Sequence, residues 1–194
     1  MSPLTELIGG AKAYGWGSFA AAGDFESIAT VSLSGSAANV EFTSIPATYS
    51  HLQVRVSVKA SGGSGISNNL VLTANNDTTA ANYTYHRLSG DGANAGANSG
   101  TNMGGAYVGS STPGASGSTN VFGSYVIDIL DYANTNKYKT FRSLTGNDIN
   151  GSGVIWFGSC LYLSTSAISS IKVYIDGLNI AQYSSFALYG IRSA

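Results

Sequence analysis

Apolar and polar residues alternate most regularly between His51 and Lys59. Leu52, Val54, Val56 and Val58 point one way, and Gln53, Arg55, Ser57 and Lys59 the other. A period of two over this length predicts an antiparallel strand with one buried face and one wet face. Shorter pieces of the same rhythm mark Ile28 to Leu33, Val40 to Phe42, Leu70 to Leu72, Tyr83 to Leu88, Val154 to Leu163, Ile168 to Ile175 and Phe186 to Ile191. Residues Gly123 to Gly146 read as a hairpin. Tyr125, Ile127 and Ile129 alternate with Val126, Asp128 and Leu130; Ala133-Asn134-Thr135-Asn136 supplies turn chemistry, and Tyr138 to Leu144 returns. Pairing across that turn is expected to bring Asp128 and Lys139 onto one face as a diagonal charge pair. Short strands separated by turn residues, with no convincing long helix, predict an all-β fold: an antiparallel β-sandwich.

Two segments break the rhythm. Residues 1–24 are rich in small residues and glycine, with Tyr14 and Trp16 set among glycines. Such a segment makes no core by itself. It reads as an extended N-terminal arm that docks onto a neighbouring subunit with Tyr14 and Trp16 as anchors, a reading favoured over an arm packed on its own domain. Residues 25–194 then form the sandwich domain. Within it, the stretch 90–120 holds one charged residue, Asp91, and is otherwise mostly Gly, Ala, Asn, Ser and Thr. It is expected to be a long loop, with Ala106-Tyr107-Val108 as a short strand in its middle. Contact with another protein or a glycan and a tolerated surface insertion are both open readings of it.

Composition narrows the function. Of 194 residues only 10% are charged, against 43% hydrophobic, and the net charge is −1. Ordinary soluble domains carry about 25% charged residues, so this surface is built from Ser, Thr, Asn and Gly. The scattered basic residues make no stripe for phosphate, which argues against nucleic acid as a partner. No stretch has the length and apolarity of a membrane span, and no secretory signal opens the chain, so synthesis in the cytosol without membrane insertion is expected. The single cysteine, Cys160, rules out an internal disulfide and reads as a small buried hydrophobe.

Candidate chemistry is thin. The aspartates Asp77, Asp91, Asp128, Asp131, Asp148 and Asp176 show no spacing that singles out a glycosidase pair. Two histidines, His51 and His86, do not complete a zinc site. Oxygen donors at Asn75-Asn76-Asp77 and Asp148-Ile149-Asn150-Gly151 suit a calcium loop, but Asx-turns explain both. No catalytic, cofactor or metal residue is assigned, and the chain is expected not to be an enzyme. Tyrosine is abundant, and Tyr83, Tyr85 and Tyr107, with His86 and Asp91, lie in or beside the 90–120 stretch. They are the candidate surface contacts, since aromatic faces stack on sugars and dominate interfaces.

Several phrases in order carry a family resemblance: FTSIPATYSHLQVRVSVKAS from Phe42 to Ser61, LVLTANNDTTAANYTYHRLSGDG from Leu70 to Gly92, and YVIDILDYANTNKYKTFRSLTGND from Tyr125 to Asp148. They are followed by Gly151 to Phe157 and by YSSFALYGI from Tyr183 to Ile191. Together they resemble structural proteins of tailed bacteriophages. The resemblance implies a β-sandwich, specifically a jelly roll, in a tail, fibre or capsid-surface component of the virion. It implies other virion proteins as partners, namely a tail adaptor, fibre or major capsid protein. Self-association is expected, with a trimer favoured, and host-surface glycan is a candidate ligand. Capsid decoration and a free carbohydrate-binding module are the alternatives.

Overall fold

The computed structural model describes residues 24–117 and 119–192. Its strands are β1 (Phe25–Ser32), β2 (Asn39–Phe42), β3 (His51–Val58), β4 (Asn68–Ala74), β5 (Tyr83–Gly90) and β6 (Ala95–Gly100), then β7 (Ala106–Thr112), β8 (Gly123–Leu130), β9 (Lys139–Asp148), β10 (Gly153–Tyr162), β11 (Ile171–Ile175) and β12 (Ser185–Ile191). They form an eight-stranded sheet ordered β1-β12-β3-β8-β9-β10-β5-β6 and a four-stranded sheet ordered β2-β11-β4-β7. All pairings are antiparallel. The two sheets pack face to face as an antiparallel β-sandwich, the expected class. Strands β1, β3, β8 and β12 of the large sheet alternate along the chain with β2, β4, β7 and β11 of the small one. The β5–β6 and β9–β10 pairs extend the large sheet beyond β8. Residues 1–23 of the expected arm, with Tyr14 and Trp16, lie outside the described residues.

The alternation at β3 explains the core. Leu52, Val54, Val56 and Val58 are buried and share one cluster with Phe42, Leu70, Leu72, Ile171, Val173 and Phe186. The strand stops at Val58. Lys59, expected on the wet face, is instead largely covered: its amide donates to Ser184 Oγ at 3.2 Å and its carbonyl accepts from Ala181 N–H at 2.7 Å.

Two expectations are corrected. The stretch 90–120 is not one long loop, because it contains β6 and the full seven-residue β7. The expected short strand at Ala106-Tyr107-Val108 is the start of β7, and the rest escaped the hydrophobic pattern because its buried residues include Ser110, Ser111 and Thr112. These polar groups are satisfied inside: Ser111 Oγ donates to Thr145 Oγ1 at 2.8 Å, Thr112 Oγ1 lies 2.7 Å from Tyr125 Oη, and Ser110 Oγ donates to the Ser67 carbonyl. The Asp128–Lys139 pair is also absent. Asp128 stands opposite Arg142, and Leu130 opposite Thr140, which puts Lys139 on the other face of the sheet. The cause is the turn, which spans 131–138 and shifts the register by an odd number of residues. Asp128 Oδ1 accepts from Gln53 Nε2 at 2.8 Å instead.

The tyrosines give this core a pH limit. Burial is the first cause raising Tyr83, Tyr107, Tyr125, Tyr132, Tyr162 and Tyr174 above the ordinary value of 10.0, Tyr107 to about 12. A folded-state value above the unfolded one gives stability that is complete below about pH 10 and is lost as pH rises toward the folded value. Burial lowers Lys139, which acts in the opposite sense, but it is one group against six. The thermal midpoint is therefore expected to be flat from about pH 7 to 9 and to fall steeply above about pH 10. Calorimetry across that range checks it, and an unchanged midpoint at pH 11 contradicts it.

Candidate functional site

The outer face of the large sheet carries the candidate site. Cross-strand register aligns Val126 with Leu144, Leu144 with Phe157, Phe157 with Leu88, and Leu88 with Ala97. These are the residues that alternate away from the core, so one straight apolar row crosses β8, β9, β10, β5 and β6. Leu144, Phe157 and Leu88 are 53%, 50% and 60% exposed, and Ile155, one step along β10, is 56% exposed. Contiguous exposed apolar groups of this kind mark interaction surfaces.

Ile155 stands between two glycines, opposite Gly146 on β9 and Gly90 on β5. The missing side chains leave hollows on both sides of it. The result is an open cleft of about 740 Å³ with Val126, Leu144 and Ile155 on its floor. Phe122, the 147–153 turn and Gly90, Asp91 and Gly92 complete its lining at the same end of the sheet. A second hollow of about 420 Å³ adjoins it, lined by His86, Leu88, Phe157 and Ser159.

Turn geometry sets the rim. Asn150 and Gly151 adopt left-handed backbone (φ 60° and 106°), and Asp148 Oδ1 accepts from Asn150 N–H at 2.8 Å. Asp91 Oδ1 accepts from Asn94 N–H at 2.6 Å and Ala93 N–H at 2.9 Å. Those amides hold the Asp91 carboxyl below the usual carboxylate range. A glycosidase acid needs the opposite shift. The carboxylates therefore build turns and offer acceptor oxygens at the rim of an apolar floor. That arrangement suits a flat molecule with one apolar face and hydroxyls at its edges.

The residues expected as surface contacts do not gather here. Tyr83 is fully buried, stacked on Tyr162 at 4.8 Å, so it is a core residue and not a contact. Tyr85 is also buried, with its hydroxyl on Asn98 Oδ1 and its ring 6.0 Å from Tyr107. Both are corrected for one reason: odd positions of β5 face inward. Tyr107 is half-buried and donates to Asp176 Oδ2 at 2.9 Å. Of the five, His86 and Asp91 reach the outer-face hollows, one in each.

Other candidates are structural. Cys160 is buried, its thiol donates to the Tyr107 carbonyl at 3.4 Å, and burial pushes it up to about 12. At Asn75-Asn76-Asp77, Asn75 Oδ1 accepts from the Ser169 and Ser170 amides. Asp77 Oδ1 accepts from Thr79 N–H, and Oδ2 from Asn82 and Tyr162. Burial alone would raise the Asp77 carboxyl, but these hydrogen bonds outweigh it and the net shift is downward. Asx-turn chemistry accounts for the segment. Among the described residues no group of three or more His, Cys, Asp or Glu is placed to hold a metal.

Sequence reasoning missed the apolar row. The run Val154-Ile155-Trp156-Phe157 is apolar at both parities, and such a run ordinarily means burial on both faces. Here Trp156 turns inward, donating to the Ser110 carbonyl at 2.6 Å, while Ile155 and Phe157 face outward. Fold and site together define an all-β sandwich that displays an apolar platform on one sheet. No protein-family description, curated protein or solved structure matches the chain.

Proposed function

We propose that the protein is a non-enzymatic structural component of a bacteriophage virion, and that the outer face of its large sheet is its contact surface. The observation that carries this reading is the exposed apolar row with its adjoining clefts, a surface that a free monomer has little reason to keep. The strand order supports the jelly-roll form expected for such proteins. With the two inserted strand pairs set aside, β1-β12-β3-β8 faces β2-β11-β4-β7, the arrangement of an eight-stranded jelly roll, which recurs in viral capsid and lectin domains. The sequence resemblance supports the virion placement. Labelling intact particles with antibodies to residues 25–192 tests it; particles that contain none of the protein overturn the reading.

Among the placements, the cleft around Ile155 favours a tail or fibre component that touches host-surface glycan. Its apolar floor and turn-built polar rim fit a sugar ring. A glycan array with the whole chain and with Ile155→Asp checks this. Retention on specific glycans is expected, and about tenfold weaker retention for the variant. The thermal midpoint should barely move, because Ile155 is a surface residue. An array on which neither protein is retained favours head decoration.

A further inference from the structure

Strand β6 ends the large sheet and is exposed along almost its whole length. It pairs with β5 without a bulge, from Gly90 opposite Ala95 to Tyr85 opposite Gly100. The phase of its hydrogen bonds follows from the hairpin tip, where Asp91 N–H donates to the Asn94 carbonyl at 3.2 Å. Antiparallel bonding alternates residue by residue. Gly96, Asn98 and Gly100 therefore turn their backbone groups toward β5, and Ala95, Ala97 and Ser99 turn theirs to the open edge.

The other sheet edges are blunted. Carbonyls of β7 accept from Trp156 and Cys160 of the facing sheet. Strand β1 breaks register between Ser27 and Ala29, and β2 is only four residues long. Strand β6 carries no charge, no proline and no bulge, the devices that keep edges from pairing.

We propose that β6 is a dimerisation edge, on which a second copy of this chain adds its own β6 antiparallel about a two-fold axis at Ala97. Directly opposed residues of an antiparallel pair share a face and exchange hydrogen bonds when both turn their backbone groups inward. Centred on Ala97, the axis sets Ala97 against the partner's Ala97 and Ala95 against the partner's Ser99. Each open-edge N–H and C=O of β6 then finds a mate in phase. Any axis centred between residues puts inward faces against outward ones. Nothing charged lies on β6 to repel its copy. The same operation joins the two apolar rows through Ala97 into one row across ten strands, about 43 Å long. Such an isologous contact closes at two copies, in place of the trimer expected from the sequence. The inference does not depend on the virion or glycan reading.

Sedimentation velocity on the whole chain over a concentration series tests it. A reversible species of twice the 19.9 kDa chain mass is expected. Ala97→Pro should weaken it by about tenfold or more while leaving the thermal midpoint unchanged, since the Ala97 N–H bonds nothing within the chain and proline is tolerated on edge strands. Ala97→Cys should form a covalent dimer under mild oxidation, because residues opposed in this way stand about 5.5 Å apart at Cα. Buried Cys160 offers no competing thiol. A monomer at every concentration overturns the proposal and leaves the edge to a strand of another protein. So does an oligomer that Ala97→Pro leaves intact and Ala97→Cys fails to cross-link.

Discussion

Gly123→Ala is expected to destabilise the protein by about 3 kcal/mol, the upper end of what overpacking a tight interior costs. Gly123 opens β8 directly beneath β7, and a Cβ there would overlap the Ser111 carbonyl oxygen, with the Pro113 ring 3.3 Å away. The carbonyl has no room to yield. It accepts from Asn147 Nδ2 at 2.8 Å, and the Ser111 amide is held by Tyr125 Oη at 3.1 Å. Moving it disturbs the polar seam that joins the two sheets. Gly35→Ala is the control, because nothing lies within 4 Å of its would-be Cβ. Urea unfolding of both variants decides the matter; equal midpoints would show that β7 is not held as described.

Lys139→Met is expected to lose about 3 kcal/mol as well, by a different route. The side chain is fully buried, and its ammonium donates to the carbonyls of Asn134 at 2.5 Å, Lys137 at 2.9 Å and Thr165 at 3.1 Å. It thereby ties the β8–β9 turn to the segment before β11. Methionine keeps the packed stem and removes the donors, so the loss reports the stranded carbonyls and not a cavity. Lys139→Ala should lose more, by the added cavity. If Lys139→Met melts with the parent protein, the three carbonyls are satisfied by solvent and the clamp is not structural.

Much of the sandwich was legible because burial on one face leaves a period of two. The β3 residues Leu52, Val54, Val56 and Val58 announced both strand and inward face, and the alternation at Tyr125, Ile127 and Ile129 announced β8 as a strand. Strand β6 was not legible, and β7 was legible only at Ala106-Tyr107-Val108. Strand β6 is a solvent-facing edge and carries no hydrophobic signal, and β7 hides its burial behind hydroxyls that bond across the sheet interface. Lys139 was read as the cross-strand partner of Asp128, because the turn was placed at Ala133-Asn134-Thr135-Asn136 and the register followed from it. Two carbonyls of the adjoining turn and the carbonyl of Thr165 make its burial tolerable, and no period of apolar residues encodes them.

The candidate site divides the same way. Sequence identified Asp91 and His86 as polar residues of the right region, and it marked an Asx-turn at Asp148, while the turn at Asp91 came from the structure. It misplaced Tyr83 and Tyr85, because a tyrosine fits either face of a strand and only packing selects one. By itself the sequence determined the local quantities: which segments are extended, where turns fall, and how few charges the surface holds. These follow from side-chain size, polarity and spacing along the chain. The tertiary structure decided the register that lines up Val126, Leu144, Phe157, Leu88 and Ala97, and the order that leaves β6 open at an edge. Those depend on pairings between different strands, whose free energy resides in contacts that no single segment contains.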